Sequence, residues 1–528
     1  MNTTVLKNGN MLRRAGAVLS GLLLTAAFPG IGCDAAAWFA LVPLILAAKN
    51  VSAFTGFRLG FLMGFVHYST LLYWFIPFLG TYGPFPFCVS SGILVLFAAY
   101  LALYPALFAA GAGLFSRRPA GALFLIPAAW VAVELLRSTL LTGFPWELIG
   151  HTQFKRLRII QISDMMGVYG VSYIIVLSNT ILFQLTDFWL YEKTRRLRST
   201  VVRAMPAGLL ALVIAAGVYG YGDRRLQQME SRVASAPTRR IAVVQGNIDQ
   251  GAKWDEAFRS ATIERYLRLS SRAAGSRPEL IVWPETAMPF YFLHNLPLTR
   301  SVMNGLADIS SDFVIGSPSF ARRGEDVRYY NRAFLISGGK EVTAVYDKAH
   351  LVPFGEYVPL KKWLPFLGKM VAQVGDFSAG EKGATLFWRQ CEIGVLICYE
   401  QIFPCLSRAA VNNGADVLVN MTNDAWYGRT AAPYQHFSMA VFRAVENRRF
   451  LVRAANTGIS AFVGPSGRIL AQTPIFVEKT MDFPVALLDD STVYTRWGDW
   501  FAGLCLLLFA AAAAWHGGSV ALNRRRSD

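Results

Sequence analysis

Between Arg58 and Arg117 the chain runs for 58 residues without an Asp, Glu, Lys or Arg. No other feature limits its fold as strongly. A helix needs about 20 residues to cross a hydrocarbon core of about 30 Å, so this tract holds two crossings. The turn-forming "GTYGPFP" near its middle marks the hairpin between them. Four more charge-free stretches, residues 15–33, 165–186, 204–222 and 500–523, are each long enough for one crossing. Residues 35–48 are short, and residues 119–133 run on into Glu134 and Arg137. With these two included, the expectation is about eight membrane spans. Composition agrees, since 54% of the 528 residues are apolar and only 16% are charged.

Basic residues orient the spans. With a cytoplasmic N-terminus, the inner segments carry fifteen Lys and Arg, among them Arg117, Arg118, Lys193, Arg195, Arg196 and Arg526. The outer loops carry only Lys155, Arg156 and Arg158. That bias places both termini inside. It also accounts for much of the net charge of +17, so nucleic acid is not an expected partner. The basic start followed by an apolar stretch imitates a signal peptide, and "PGIGC", ending at Cys33, imitates a lipidation site. With so many later spans, an uncleaved first helix is the simpler expectation.

One long polar segment interrupts the apolar pattern. Residues 223–499 follow seven expected spans, which puts them on the outer face, and their length suits a single large domain. The organisation expected is 1–222 as a seven-helix membrane domain, 223–497 as an outer-face domain, and 498–528 as the eighth span with a basic cytoplasmic tail. Within the polar segment, runs such as "IAVVQGN", "ELIVWPE", "DFVIGSP", "IGVLICYE" and "ADVLVNMT" alternate with helix-compatible stretches. Near-continuous apolar strands alternating with helices indicate an α/β domain whose sheet is buried on both faces.

Several of these strands end in residues capable of chemistry. "LIVWPE" delivers Glu285, "TAVYDKAH" delivers Lys348 with Glu356 eight residues later, and "IGVLICYE" delivers Cys398. Ligands commonly bind at strand ends in α/β sheets. Singly, each has a dull reading as a loop acid, a surface lysine or a core thiol. Together they make a base, an oxyanion stabiliser and a nucleophile.

The words "PETAMP", "YDKAHLVPFGEYVP" and "ICYE", in that order, resemble the Glu-Lys-Cys signature of the nitrilase superfamily, whose fold is an α-β-β-α sandwich. The likeness extends through "VVQGNI", "KWD" and "TNDAWYGRTAAPYQHFSMAVFRAVENRRFLVRAANTGIS", and through "TGFPWELIGHTQ" in the membrane part. Over nearly all its length the chain is similar to the membrane branch of that superfamily, the apolipoprotein N-acyltransferases, with a nitrilase-like domain inserted between the seventh and eighth spans. It departs from the pattern mainly in residues 421–432.

The resemblance implies Glu285 as base and Cys398 as nucleophile, with Lys348 and the backbone N–H of Tyr399 as oxyanion donors. Trp254, Asn331, Glu356, Tyr399 and Glu400 would support the site or bind substrate. The implied substrates are a membrane phospholipid as acyl donor and a diacylglyceryl-modified apolipoprotein as acceptor, at the bacterial inner membrane with the catalytic domain on the periplasmic face. No cofactor is implied, and a monomer is favoured. The same three residues would equally serve a membrane-tethered amidohydrolase with water as acceptor. A transporter fits poorly, because transport pathways often hold intramembrane charges that these spans largely lack.

His350 and His436 invite a Cys-His reading, but "DKAH" already supplies the lysine. Cys391, Cys398 and Cys405, spaced by seven, match no usual zinc pattern. A Cys391–Cys405 disulfide stays open.

Overall fold

The computed structural model describes residues 3–525 except 84, 117–118, 192–196, 252, 325, 339–340 and 359–376. Arg117, Arg118, Lys193, Arg195, Arg196 and Arg526, used above to set orientation, lie outside the described residues. The chain divides into two compact units, Met1–Arg224 with Asp499–Asp528, and Arg225–Gly498.

The first unit is helical. In chain order its helices are α1 (Thr3–Ala27), α2 (Val42–Ala48), α3 (Ala53–Leu71), α4 (Phe75–Tyr82), α5 (Phe87–Phe115), α6 (Pro119–Thr139), α7 (Leu157–Ile160), α8 (Ser163–Met166) and α9 (Val168–Tyr191); α10 follows at Leu197–Ser235, and Trp500–Arg525 closes the chain. α3 lies against α5 along Gly56, Gly60 and Gly64, one helical turn apart. A Cβ at Gly60 would run into the Pro105 carbonyl and the Ala106 Cα, so the small residues set how closely the two helices approach.

Among the described residues three helices are long and apolar enough to cross a membrane, Phe87–Phe115, Gly121–Thr139 and Val168–Trp189. A fourth crossing results if Ala53–Leu71 and Phe75–Tyr82, bent by 50° at their break, count as one. The structure therefore supports three or four of the eight expected spans directly. Residues 35–48 do not form one helix: a 3-10 turn, Asp34–Trp38, is followed by α2, which restarts with Pro43 in its first turn, where the missing N–H costs nothing. Residues 119–133 depart in the other direction, since α6 continues through Glu134 and Arg137 to Thr139.

Both charges in α6 have partners. Arg137 donates to the Phe144 and Trp146 carbonyls at 3.0 and 2.8 Å, and Glu134 accepts from Trp130 Nε1 and the Ile149 N–H at 2.9 and 2.8 Å. They satisfy the backbone of the "TGFPWELIGHTQ" loop, which in an apolar environment would otherwise lack hydrogen bonds.

The second unit contains β1 (Thr238–Gln245), α11 (Glu256–Ala274), β2 (Leu280–Val282), α12 (Leu296–Ala307), β3 (Asp312–Arg323), β4 (Asp326–Ser337), β5 (Glu341–Asp347), β6 (Thr385–Trp388), β7 (Cys391–Ile397), α13 (Pro404–Asn412), β8 (Val417–Thr422), α14 (Ala432–Asn447), β9 (Phe450–Ala455), β10 (Ala461–Val463), β11 (Ile469–Gln472) and β12 (Lys479–Ala486). Two six-stranded sheets result, ordered β12-β1-β2-β3-β4-β5 and β11-β10-β9-β8-β7-β6. Helices alternate with parallel strands only over β1–β3 and β7–β9. Elsewhere, in departure from the expected alternation, β3, β4 and β5 form an antiparallel meander, because the turn at Gly324 (φ +63°) leaves no room for a crossover helix.

Side-chain alternation explains the continuous apolar runs. Ile241 and Val243 of β1, with Leu280, Val282 and Val314, point to one face and pack against Ile393, Val395, Val417, Val419 and Val452 of the second sheet. Ala242 and Val244 point the other way, against Ile263, Tyr266 and Leu269 of α11 and Val302 and Leu306 of α12. α13 meets the far side of the second sheet at Gly394. Strands covered on both faces lose the polar-apolar alternation of a half-exposed sheet.

Candidate active site

Glu285, Lys348 and Cys398 each stand just beyond a strand end, after β2, β5 and β7 respectively. Local backbone brings each one forward. The chain turns through Trp283 and Pro284 to Glu285 and lies against β3 at Gly316, where a Cβ would come within 2.5 Å of the Pro284 carbonyl oxygen and 2.9 Å of the Glu285 Cα. Cys398 opens a 3-10 turn, Cys398–Ile402, with φ of +52°. A non-glycine residue in that region costs of order 1–3 kcal/mol, so surrounding contacts must hold it there.

The Glu400 carboxylate provides those contacts. It accepts the Ile397 N–H at 2.6 Å, the Ala349 and His350 N–H groups at 2.7 and 3.0 Å, and the Tyr346 hydroxyl at 3.0 Å. One buried side chain thus ties the residue before Cys398 to the two residues after Lys348. Burial pushes the Glu400 carboxyl up to about 7, against the opposing pull of the Ile397 N–H and the Lys348 charge.

Around Glu285 the polar atoms form a closed group. Its Oε1 accepts Asn331 Nδ2 at 2.8 Å and lies 3.6 Å from Lys348 Nζ, while its Oε2 accepts the Asn423 N–H at 3.0 Å. Glu356 Oε1 takes Lys348 Nζ at 2.9 Å and Asn331 Nδ2 at 3.0 Å, and Glu356 Oε2 takes the Val352 N–H at 2.8 Å. Lys348 and Asn331 therefore bridge the same two carboxylates. Burial works against the Lys348 charge, but Glu356 and Glu285 hold its amine well above the ordinary lysine value.

Cys398 is buried and in the field of this group. Burial, then Glu285, push its thiol well above the ordinary range; Lys348 and a hydrogen bond to the Thr422 side chain pull the other way. The resting thiol therefore keeps its proton and needs a base at the moment of reaction. Behind it, Thr422 Oγ1 donates to Asp424 Oδ1 at 2.9 Å, His436 Nδ1 lies 2.9 Å from the same oxygen, and Arg453 donates to Asp424 Oδ2 at 2.7 Å.

Of the residues singled out from sequence, Glu285, Lys348, Cys398, Asn331, Glu356 and Glu400 come together. Tyr399 is beside them with its ring against Phe403 at 5.1 Å. Trp254 is half-buried, and among the described residues it has no hydrogen bond or ring contact with the group. His350 packs its ring on Phe403 at 4.0 Å, and His436 is committed to Asp424. All six cysteines are free, and Cys391 Sγ donates to the Trp388 carbonyl. Sequence reasoning passed over Lys253, Thr422, Asn423 and Asp424. They lie in the words "KWD" and "TND", where a lysine, a threonine and an asparagine carry no chemical signal by type alone.

Two family models match the chain, Carbon-nitrogen hydrolase over residues 240–489 and Apolipoprotein N-acyltransferase N-terminal domain over residues 20–181. An apolipoprotein N-acyltransferase of Geobacter metallireducens is 45% identical over 500 residues, 94% of either chain; one of Methylococcus capsulatus is 32% identical over 93% of either chain. Among solved structures, an amidase from Nesterenkonia sp. aligns with 49% of this chain and 92% of its own at 23% identity, with a TM-score of 0.36. Identity at this level over nearly the full length, together with both family matches, shows that the chain belongs to the apolipoprotein N-acyltransferase family.

Proposed function

We propose that the chain transfers an acyl group from a membrane phospholipid to the N-terminal amine of a diacylglyceryl-cysteine apolipoprotein through a thioester on Cys398. Glu285 takes the Sγ proton as the sulfur attacks the ester carbonyl. Lys348 and the Tyr399 N–H stabilise the oxyanion, at about 3 kcal/mol per donor in comparable sites. Collapse expels the lysophospholipid alkoxide, which takes the proton from Glu285. The acceptor amine then attacks the thioester, gives a proton to Glu285, and the thiol leaves with that proton. Atoms and protons balance without a cofactor, and one covalent intermediate between two substrates implies ping-pong kinetics. Asn331, Glu356 and Glu400 position the reacting groups.

The observation that supports this reading best is the meeting of Glu285 and Lys348, 3.6 Å apart, with Cys398 just beyond a third strand end, in a chain 45% identical to an apolipoprotein N-acyltransferase. Eight crossings, seven before residue 222 and one from residue 498, with both termini cytoplasmic, would put the transfer unit at the outer face of the inner membrane, where both lipid substrates are anchored. The charge bias across the loops and the apolar helices support that arrangement. Mass spectrometry of the protein incubated with phospholipid and no amine tests the reaction: an acyl adduct on Cys398, discharged by a diacylglyceryl peptide, is expected. An adduct on another residue, or steady release of free fatty acid without acceptor, would refute it, the latter marking a hydrolase.

A further inference from the structure

Lys253 is a buried lysine beside the catalytic group. It is 2% exposed, and its Nζ lies 3.4 Å from the Glu285 carbonyl oxygen. The loop that carries it is held to the same place from the other side: Asn423, whose N–H binds Glu285 Oε2, donates through its side chain to Gln250 Oε1 at 2.6 Å, and Lys253 N–H binds the Asp249 carbonyl at 3.0 Å. Among the described residues no carboxylate forms an ion pair with its Nζ, and a buried ammonium is costly, since lysine is almost never fully buried unless paired.

Charge counting gives it a purpose. Glu285 and Glu356 bring two carboxylates to the centre and Lys348 brings one cation. Asp424 is matched by Arg453, Glu400 is pushed toward its neutral form by burial, and Tyr399 and Tyr427 are held protonated by burial. Moving the proton from Cys398 to Glu285 shifts a negative charge but does not remove it. Without another cation the buried centre would carry a net negative charge throughout. Lys253 Nζ touches Glu285 through its main-chain carbonyl, and negative charge on Glu285 or on Cys398 favours its ammonium form.

We infer that Lys253 is a positioning residue for the acyl transfer, its buried ammonium supplying the second positive charge that balances the centre while the negative charge passes from Glu285 to the Cys398 thiolate beside Glu356. The inference rests on the assignment of Cys398 and Glu285 above. Burial pushes Lys253 down to about 8, with Glu285 and Cys398 opposing, so the ammonium is present at neutral pH and is lost in mildly alkaline solution.

Alkylation of Cys398 by iodoacetamide in the full-length protein in detergent, read by mass spectrometry from about pH 5 to about pH 10, tests this. Lys253→Met should label about tenfold more slowly near neutrality, the factor of one unit in thiol pKa, while Lys253→Arg stays within about threefold of wild type. A Lys253→Met profile that overlays the wild type at an unchanged melting temperature overturns the inference. If Lys253→Met does not fold, Lys253→Arg and Lys253→Gln carry the test, and equal rates for the charged and neutral side chains overturn it. A wild-type profile that Glu285→Gln leaves unmoved overturns the acyl-transfer assignment, and the inference with it.

Discussion

Glu400 offers the sharpest test of how the site is held together. Glu400→Ala removes the acceptor for the N–H groups of Ala349, His350 and Ile397 and for the Tyr346 hydroxyl. At about 1–3 kcal/mol for each buried donor left unmatched, the three main-chain donors alone set a ceiling of roughly 3–9 kcal/mol. Water entering the vacated space would satisfy part of them, so a loss near the lower end, about 3 kcal/mol, is expected. Activity should fall further than stability, because Ala349 follows Lys348 and Ile397 precedes Cys398. A displacement of about 1 Å at the reacting atoms costs about 100-fold in rate. Glu400→Gln keeps one acceptor oxygen and turns an amide NH2 toward the remaining donors, for a loss of about tenfold, equivalent to about 1.4 kcal/mol. Single-turnover formation of the Cys398 thioester, followed by mass spectrometry beside thermal unfolding in detergent, measures both effects. With its carboxyl pushed up to about 7, Glu400 has a rival role as a proton carrier, under which the Gln variant is as inactive as the Ala variant. Equal inactivity of the two would refute the clamp, as would a Glu400→Ala protein acylating within about threefold of wild type.

Glu285→Gln and Lys348→Ala should each abolish thioester formation, while His350→Ala, which removes only a ring packed on Phe403, should keep most of it; the same mass-spectrometric assay reads all three. Thr422→Val keeps the shape of the side chain but deletes the hydroxyl between Cys398 and Asp424, and acylation should slow about tenfold, one hydrogen bond's worth. Asp424 is buried, yet Arg453 and His436 hold its carboxyl well below the usual carboxylate range. Its native state therefore binds fewer protons than the unfolded chain in acid, so its stabilisation is complete above the ordinary value of 3.8 and disappears as pH falls. Asp424→Asn should accordingly flatten the acid limb of melting temperature against pH. A reporter fused near residue 230 should be exported, and fusions near residues 118 and 197 should be cytoplasmic; a cytoplasmic signal at 230 would overturn the span count.

The residues most legible in the sequence were those whose chemistry needs an uncommon type in an uncommon place. Glu285 and Cys398 follow apolar strands that are buried on both faces, and a charged or reactive group at the end of such a run has few structural uses; Lys348 follows the partly exposed edge strand β5 and was legible only together with the other two. The span count was less legible because absence of charge measures only what a segment can tolerate. Pro43 and the bend between α3 and α4 break helices inside uncharged sequence. Conversely, Glu134 and Arg137, which read as the end of a span, sit inside α6 because a loop backbone satisfies them.

Lys253 and Asn423 show where residue type stops informing. A lysine before a tryptophan reads as a surface residue until the Gln250–Asn423 hydrogen bond places it behind Glu285. Asn423 acts on Glu285 through its main-chain N–H, a group every residue except proline possesses. The same holds for Ala349, His350 and Ile397 against Glu400. The bonds that hold Glu400 are made mainly by backbone donors, so they depend on the turns that present those donors and only weakly on the side chains at those positions. A substitution at Ala349 that preserves the turn should therefore be tolerated, whereas one at Glu400, the common acceptor, should not.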